Sequence, residues 1–253
     1  MSVDLKELVS FTNTLLNSQR IKDYCPNGLQ VEGQKVVRSI VGGVTASQAL
    51  IDRAIALGAN AILVHHGYFW KGEDEAITGI KKRRLKSLLE NDISLLAYHL
   101  PLDIHAELGN NVQLAEKLNI TVTGSLEPMS STGIGLVGEL LAPMPADEFR
   151  QHISIVLGRE CLHIGDESGE IRRLAWCTGA AQSMISQAVD LGVDAYISGE
   201  ISEPTVHVAR ETGIHYFSAG HHATERYGVQ ALGSRLAEQF DLEFNFVDID
   251  NPV

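Results

Sequence analysis

Histidines and carboxylates gather in three short stretches of this 253-residue chain. One is an adjacent pair, His65 and His66, in VHHGYFW; the others repeat a four-residue spacing, His99 with Asp103 in HLPLD and His221 with Glu225 in GHHATE. Imidazole and carboxylate donors without a thiolate suit zinc, iron, manganese or nickel and leave the choice among them open. His65, His66, Asp103, His221 and Glu225 are more donors than one tetrahedral zinc takes. Two of them are carboxylates able to bridge, so the set suits two divalent metal ions per chain, about 3.5 to 4 Å apart. Such a pair brings the pKa of a water held between the ions toward neutrality, which is hydrolytic chemistry. A lone histidine is most often a surface or hydrogen-bonded residue; the pairing and the repeated spacing set these apart.

A gapless internal match supplies the elements that must position these groups. Residues 38–66 align on residues 172–200 at a constant offset of 134, with identities that include Ala46/Ala180, Gln48/Gln182, Ile51/Ile185, Leu57/Leu191 and Gly58/Gly192. Each copy reads as an apolar strand, a small-residue turn, a helix of period about 3.6, a closing glycine and a second apolar strand, which is a parallel βαβ unit. LLAYHLPLD (95–103) then lies over FSAGHHATE (217–225) at an offset of 122, which brings His99 onto His221 and Asp103 onto Glu225. The change of offset places about a dozen extra residues in the first copy, within YFWKGEDEAITGIKKRRLK.

The expected fold class is therefore α/β: two similar α/β domains from an internal duplication, with mainly parallel sheets and the metal site in the cleft between them. The halves are 1–128 and 129–253, joined through SLEPMSSTG (125–133), and the C-terminal segment is able to pack with the first half. Ligands in such sheets bind beyond the carboxyl ends of the strands, where His65, His66, His99 and His221 all fall. A turn at Gly67 lets both rings of the His pair face one cleft. Pro101 bars a regular helix across His99–Asp103 and leaves a loop or a first helical turn there, whereas His221 and Glu225 share a helix face if a helix starts after Gly220.

Composition narrows the partners. With 20 Lys and Arg against 32 Asp and Glu, a net charge of −12, the chain lacks a wide footprint for phosphate backbones, so direct nucleic-acid binding is not expected. A cation-holding cleft reverses that sign locally and keeps small anions such as nucleotides as candidate substrates. Cys25, Cys161 and Cys177 are an odd, widely spaced set that fits a reducing, cytoplasmic location. The N-terminal stretch reads as an amphipathic helix, not a signal peptide, and no window approaches the roughly 18 apolar residues a membrane span needs.

With VHHGYFW, HLPLD, GHHATE and PNGLQVEG (26–33) in view, the whole chain resembles the compact bacterial type of the NIF-three-like family, also called GTP cyclohydrolase I type 2 homologues. The resemblance implies a dinuclear centre held by His65, His66, Asp103, His221 and Glu225, with Glu225 bridging. It also implies a homo-oligomer, a toroidal hexamer built as a trimer of dimers. Glu200 matches His66 in the internal alignment and His99 matches His221, so both are expected beside the metals, as proton carriers or orienting groups, with a structural hydrogen bond as the competing reading. His207 reads as a surface histidine of a helix.

Three other signals carry little. GIGLVG (133–138) has the letters of a dinucleotide fingerprint but no strand before it and no helix after it; it reads as a strand opening the second half. KKRRLK (81–86) reads as a solvated helix face with Leu85 inward. Tyr68, Phe69 and Trp70 could stack a purine, with packing the plainer expectation. The function expected is a metal-dependent hydrolase of a nucleotide or N-heterocycle, GTP ring opening being the version the resemblance implies; a metal-binding regulatory or protein-interaction factor without turnover is the alternative.

Overall fold

Ser39–Thr45, Ala61–His66 and Ser94–Ala97 have no exposed face, the pattern of strands covered on both sides. The computed structural model describes residues 1–127 and 133–253, so most of the expected linker, at 128–132, lies outside the described residues. By compactness the described chain forms two units, Met1–Leu108 with Gly228–Asp250, and Gly109–Tyr227 with Asn251–Val253.

In the first unit a short ribbon of β1 (Val3–Asp4) and β3 (Val36–Val37) flanks α1 (Leu5–Leu15), which Asp4 caps by accepting from the Lys6 amide. The main sheet has the order β13 (Glu243–Phe246), β4 (Ser39–Thr45), β5 (Ala61–His66), β6 (Ser94–Ala97) and β2 (Gly28–Val31), parallel except for β2 against β6. Between β4 and β5 runs α2 (Gln48–Ala56), capped by Ser47 and followed by Gly58 at φ 66°. The helix α3 (Gly79–Glu90) turns Leu85 and Leu88 inward, so the KKRRLK run is the mostly outward face expected. Strand alternation sends Ile40, Ala61 and Leu63 to one face, where they meet Leu8 together with Val229, Leu232 and Leu236 of α10 (Arg226–Phe240). Val41, Ile62 and Val64 go to the other, against Leu50, Ile51 and Leu88.

The second unit holds a six-stranded sheet, β7 (Ile120–Ser125), β8 (Leu136–Pro145), β10 (Glu170–Cys177), β11 (Ala195–Ser198), β12 (His215–Ser218) and β9 (Leu162–Ile164). Only β10, β11 and β12 run parallel, linked through α7 (Ile185–Asp190) and α8 (Glu203–Thr212), so the matched stretches follow the same βαβ path in both units. The remaining pairings are antiparallel, and the mainly parallel sheet expected in this half is corrected to a mixed one. Parallel neighbours need a long crossover, and the connection from β7 to β8 is too short for a helix to cover it. GIGLVG leads into β8, as the sequence indicates, with no helix N-terminus following.

The core of the second unit assembles Leu114 and Ala115 of α5 (Asn110–Lys117), Leu118 and Ile120 around Phe149, Trp176 and Phe217. Residues 109–127, assigned by sequence to the first half, thus pack in the second unit, and Gly228–Asp250 return to the first. Among the described residues no helix is long and apolar enough to cross a membrane.

At the sheet edge, His163 of β9 and His215 of β12 lie with Nε2 and Nδ1 3.0 Å apart, and the His163 ring stacks on Phe217. Burial, reinforced by His215 and Arg150, holds the His163 pKa down to about 4 against the partial opposition of Asp147 and Asp166. An unfolded histidine titrates near 6.5, so between those values the unfolded chain binds more protons. The stability supplied by the neutral ring is complete above pH 6.5 and is lost as the pH falls toward 4. We expect urea unfolding to show roughly 1–2 kcal/mol more loss between pH 7 and pH 5 for the native chain than for His163→Gln; equal losses would refute this.

Candidate metal centre

In the first unit the His pair ends β5, and the chain then bends at Gly67, where a Cβ would run into Gln30 and Ala97. His65 is fully buried, and its Nδ1 lies 2.9 Å from the Tyr98 carbonyl oxygen. A carbonyl only accepts, so Nδ1 carries a hydrogen and Nε2 is the nitrogen left to meet a proton or a cation. That Nε2 is 3.4 Å from Oδ1 of buried Asp103, in α4 (Leu100–Ile104). A lone-pair nitrogen facing a carboxylate is stabilised by positive charge placed near both. Nδ1 of His66 lies 3.1 Å from Oγ1 of Thr45, at the end of the neighbouring strand.

His99 completes this group. Its ring centroid is 5.0 Å from that of His65 and 5.8 Å from that of His66, and the three histidines offer ligand atoms within 4.8 Å of one another. Its Nδ1 lies 2.8 Å from Asp23, which also accepts from the Tyr24 and Leu100 amides and the Asn27 side chain. Burial works against the Asp23 charge, but the hydrogen bonds from His99 and Asn27 outweigh it and hold the carboxyl down to about 2. Pro101 stands in the first turn of α4, so His99–Asp103 is one short helical turn. Of the three aromatics, Tyr68 is core, with its hydroxyl on the Ala46 carbonyl; Phe69 faces outward; and Trp70 lies T-shaped to the His99 ring, with centroids 4.9 Å apart.

In the second unit the equivalent strand ends carry Gly179 after β10, Glu200 after β11 and His221 after β12. His221 opens α9 (His221–Thr224), with Nδ1 2.7 Å from Glu200 Oε1 and Nε2 3.1 Å from Oε2 of Glu225. Burial opposes a charge on His221, yet Glu225 and Glu200 outweigh it and push its pKa up to about 9. Glu225, 3% exposed, lies against Gly179, which is held at φ 71°. The Gly179 amide donates to Thr224 Oγ1, and that hydroxyl donates to the His221 carbonyl.

Of the residues singled out by sequence, His65, His66, His99 and Asp103 are thus brought together in the first unit, and His221, Glu225 and Glu200 in the second. His207 is exposed and pairs with Glu203 on the surface of α8. Asp23 and Thr45 were not singled out by sequence. Their signal lies in DYCPNG and VTAS, which have no spacing relation to the histidines they hold. The donor set fits divalent cations: His65 and His221 are anchored through Nδ1, with Nε2 beside a carboxylate, the pattern of metal-ligating histidines.

Comparison with known proteins agrees along the whole chain. The family described as Duf34/NIF3 (NGG1p interacting factor 3) matches residues 3–252. A Pseudomonas aeruginosa protein named GTP cyclohydrolase 1 type 2 homolog is 58% identical over 252 residues, covering 100% of both chains. A solved structure described as protein ybgI, unknown function, superposes with a TM-score of 0.94 at 54% identity, covering 99% of this chain and 100% of that one. A second, TTHA1606 from Thermus thermophilus, gives 0.88 at 30% identity with the same coverage.

Proposed function

The chain belongs to the DUF34/NIF3 family, and we propose that it is a metal-dependent hydrolase of a nucleotide or related N-heterocycle. Two divalent cations per chain would be held by His65, His66, Asp103, His221 and Glu225. The ring opening of GTP is the specific version suggested by the name of the P. aeruginosa relative. The observation that carries the reading is the anchoring of His65 and His221 through Nδ1, on the Tyr98 carbonyl and on Glu200, with Nε2 beside Asp103 and Glu225 respectively.

When bound, divalent cations would polarise a carbonyl or imine and acidify water. The chain's own residues supply the rest. Glu200 orients His221 and is positioned to exchange a proton at its carboxylate; His99 stands beside the His pair on its Asp23 support. Trp70, half-buried next to His66 and His99, offers a flat apolar partner to a heterocycle. A homohexamer in the cytoplasm belongs to the same proposal, and the buried cysteines Cys25, Cys161 and Cys177 are consistent with that location.

Elemental analysis of freshly purified protein, followed by a panel of nucleotides and cyclic amides with each metal found, tests the proposal. About two equivalents of metal per chain and ring-opening turnover are expected. Turnover of nothing on the panel by fully loaded protein, together with capture of a protein partner only in the metal-bound form, would favour the alternative of a regulatory or interaction factor. That alternative draws on the family's description as an interacting factor. Glu200→Gln, which weakens the hold on His221, is expected to lower metal affinity by roughly 10-fold, measured by competition with a chelating dye; unchanged affinity would remove Glu200 from its orienting role.

A further inference from the structure

We propose that Asp23 makes His99 a third imidazole ligand of the first unit, acting beside His65 and His66. The inference rests on the metal reading above and adds two residues to it. Asp23 is a positioning residue whose side chain is only 2% exposed, and its two oxygens are divided among four donors. Oδ1 faces the His99 ring and the Tyr24 amide; Oδ2 faces Asn27 Nδ2 and the Leu100 amide. A carboxylate held on both oxygens cannot rotate away, and it accepts only, so the His99 nitrogen facing it carries hydrogen and Nε2 is the nitrogen left to meet a cation.

The position of the ring then matters. Its centroid lies 5.0 Å from His65 and 5.8 Å from His66, at interplanar angles of 43° and 51°. The rings are tilted, not stacked, and their ligand atoms fall within 4.8 Å of one another, close enough to share one cation. The second unit repeats the device with a carboxylate from another part of the chain, since Glu200 holds Nδ1 of His221 at 2.7 Å as Asp23 holds that of His99 at 2.8 Å. His99 and His221 are also the residues the internal sequence match superimposes. A hydrogen bond serving structure alone would not require a His99 ring nitrogen to lie within 4.8 Å of ligand atoms of the His pair.

The test uses full-length protein labelled with nitrogen-15 in its histidines, stripped of metal and titrated with zinc ions alone, with His99→Gln identifying the His99 signals. Before zinc, His99 should show a protonated Nδ1 and a lone-pair Nε2; with zinc, its Nε2 resonance should move together with those of His65 and His66. Asp23→Asn places an amide NH2 where two donors already point. It should lose the single tautomer and bind zinc 10- to 100-fold more weakly. If the His99 signals stay put while those of His65 and His66 move, this inference fails and the metal reading stands. If no histidine responds, both fail. Wild-type affinity and an unchanged His99 spectrum in Asp23→Asn would remove Asp23 from the role. Should that variant not fold, the zinc response of the native chain still decides whether His99 is a ligand.

Discussion

Glu225→Gln should reduce divalent-metal affinity by more than about 100-fold while the chain keeps its fold. Residues that merely orient metal ligands are worth roughly 10- to 100-fold, so a charged donor at the metal itself should exceed that range. The amide has the carboxylate's shape, and Glu225 is 3% exposed against Gly179, so packing changes little. What changes is chemistry: the amide loses the negative charge and one acceptor, and it can turn an N–H toward Nε2 of His221, now 3.1 Å from a carboxylate oxygen. Metal content by mass spectrometry and affinity by dye competition, with circular dichroism as the fold control, read the effect. Wild-type metal content in Glu225→Gln would remove this residue from the centre and with it much of the proposed function.

Gly179→Ala is expected to lose about 2–4 kcal/mol of stability through two separable causes. At φ 71° any residue with a Cβ incurs the left-handed penalty of roughly 1–2 kcal/mol. The new methyl would also overlap the Glu225 carboxylate, with the His221 ring at 3.2 Å. Gly58→Ala isolates the first cause, because Gly58 has φ 66° and nothing within 4 Å of the added carbon. Urea unfolding of both variants should therefore place Gly179→Ala well below Gly58→Ala. Equal destabilisation would show that the Glu225 side chain yields without cost and that its position is not fixed by the turn. The same variant should bind metal weakly, since its methyl occupies the space that Glu225 holds.

What could be read from the sequence follows physical range. The His pair and both four-residue spacings are local patterns, and each lands at a strand end because the apolar runs before them, AILV and SLLA among them, can only be buried strands. The βαβ path of residues 38–66 and 172–200 was legible for the same reason, as was the inward turn of Leu85 in α3. Asp23 was not: it meets His99 across 76 positions, and a lone carboxylate in a loop has no periodicity to betray it. Thr45 is similar, a common strand residue whose hydroxyl gains meaning only when β4 and β5 pair at Thr45 and His66. The division of the chain into units was also hidden. Composition marks SLEPMSSTG (125–133) as a linker, but the boundary depends on which core receives Leu114 and Ile120, a question of tertiary packing.

The route of the chain through its first unit bears on how the protein is made. Val229, Leu232 and Leu236 are inaccessible to solvent in the same core as Leu8 and Leu63, and β13 pairs in parallel with β4 at Ser39–Gly42. A ribosome must therefore synthesise all of residues 109–227 before the earlier unit receives its last strand, so the later unit can mature first while the nascent β4 edge waits unpaired. During translation that exposed edge is where a chaperone would have most to protect.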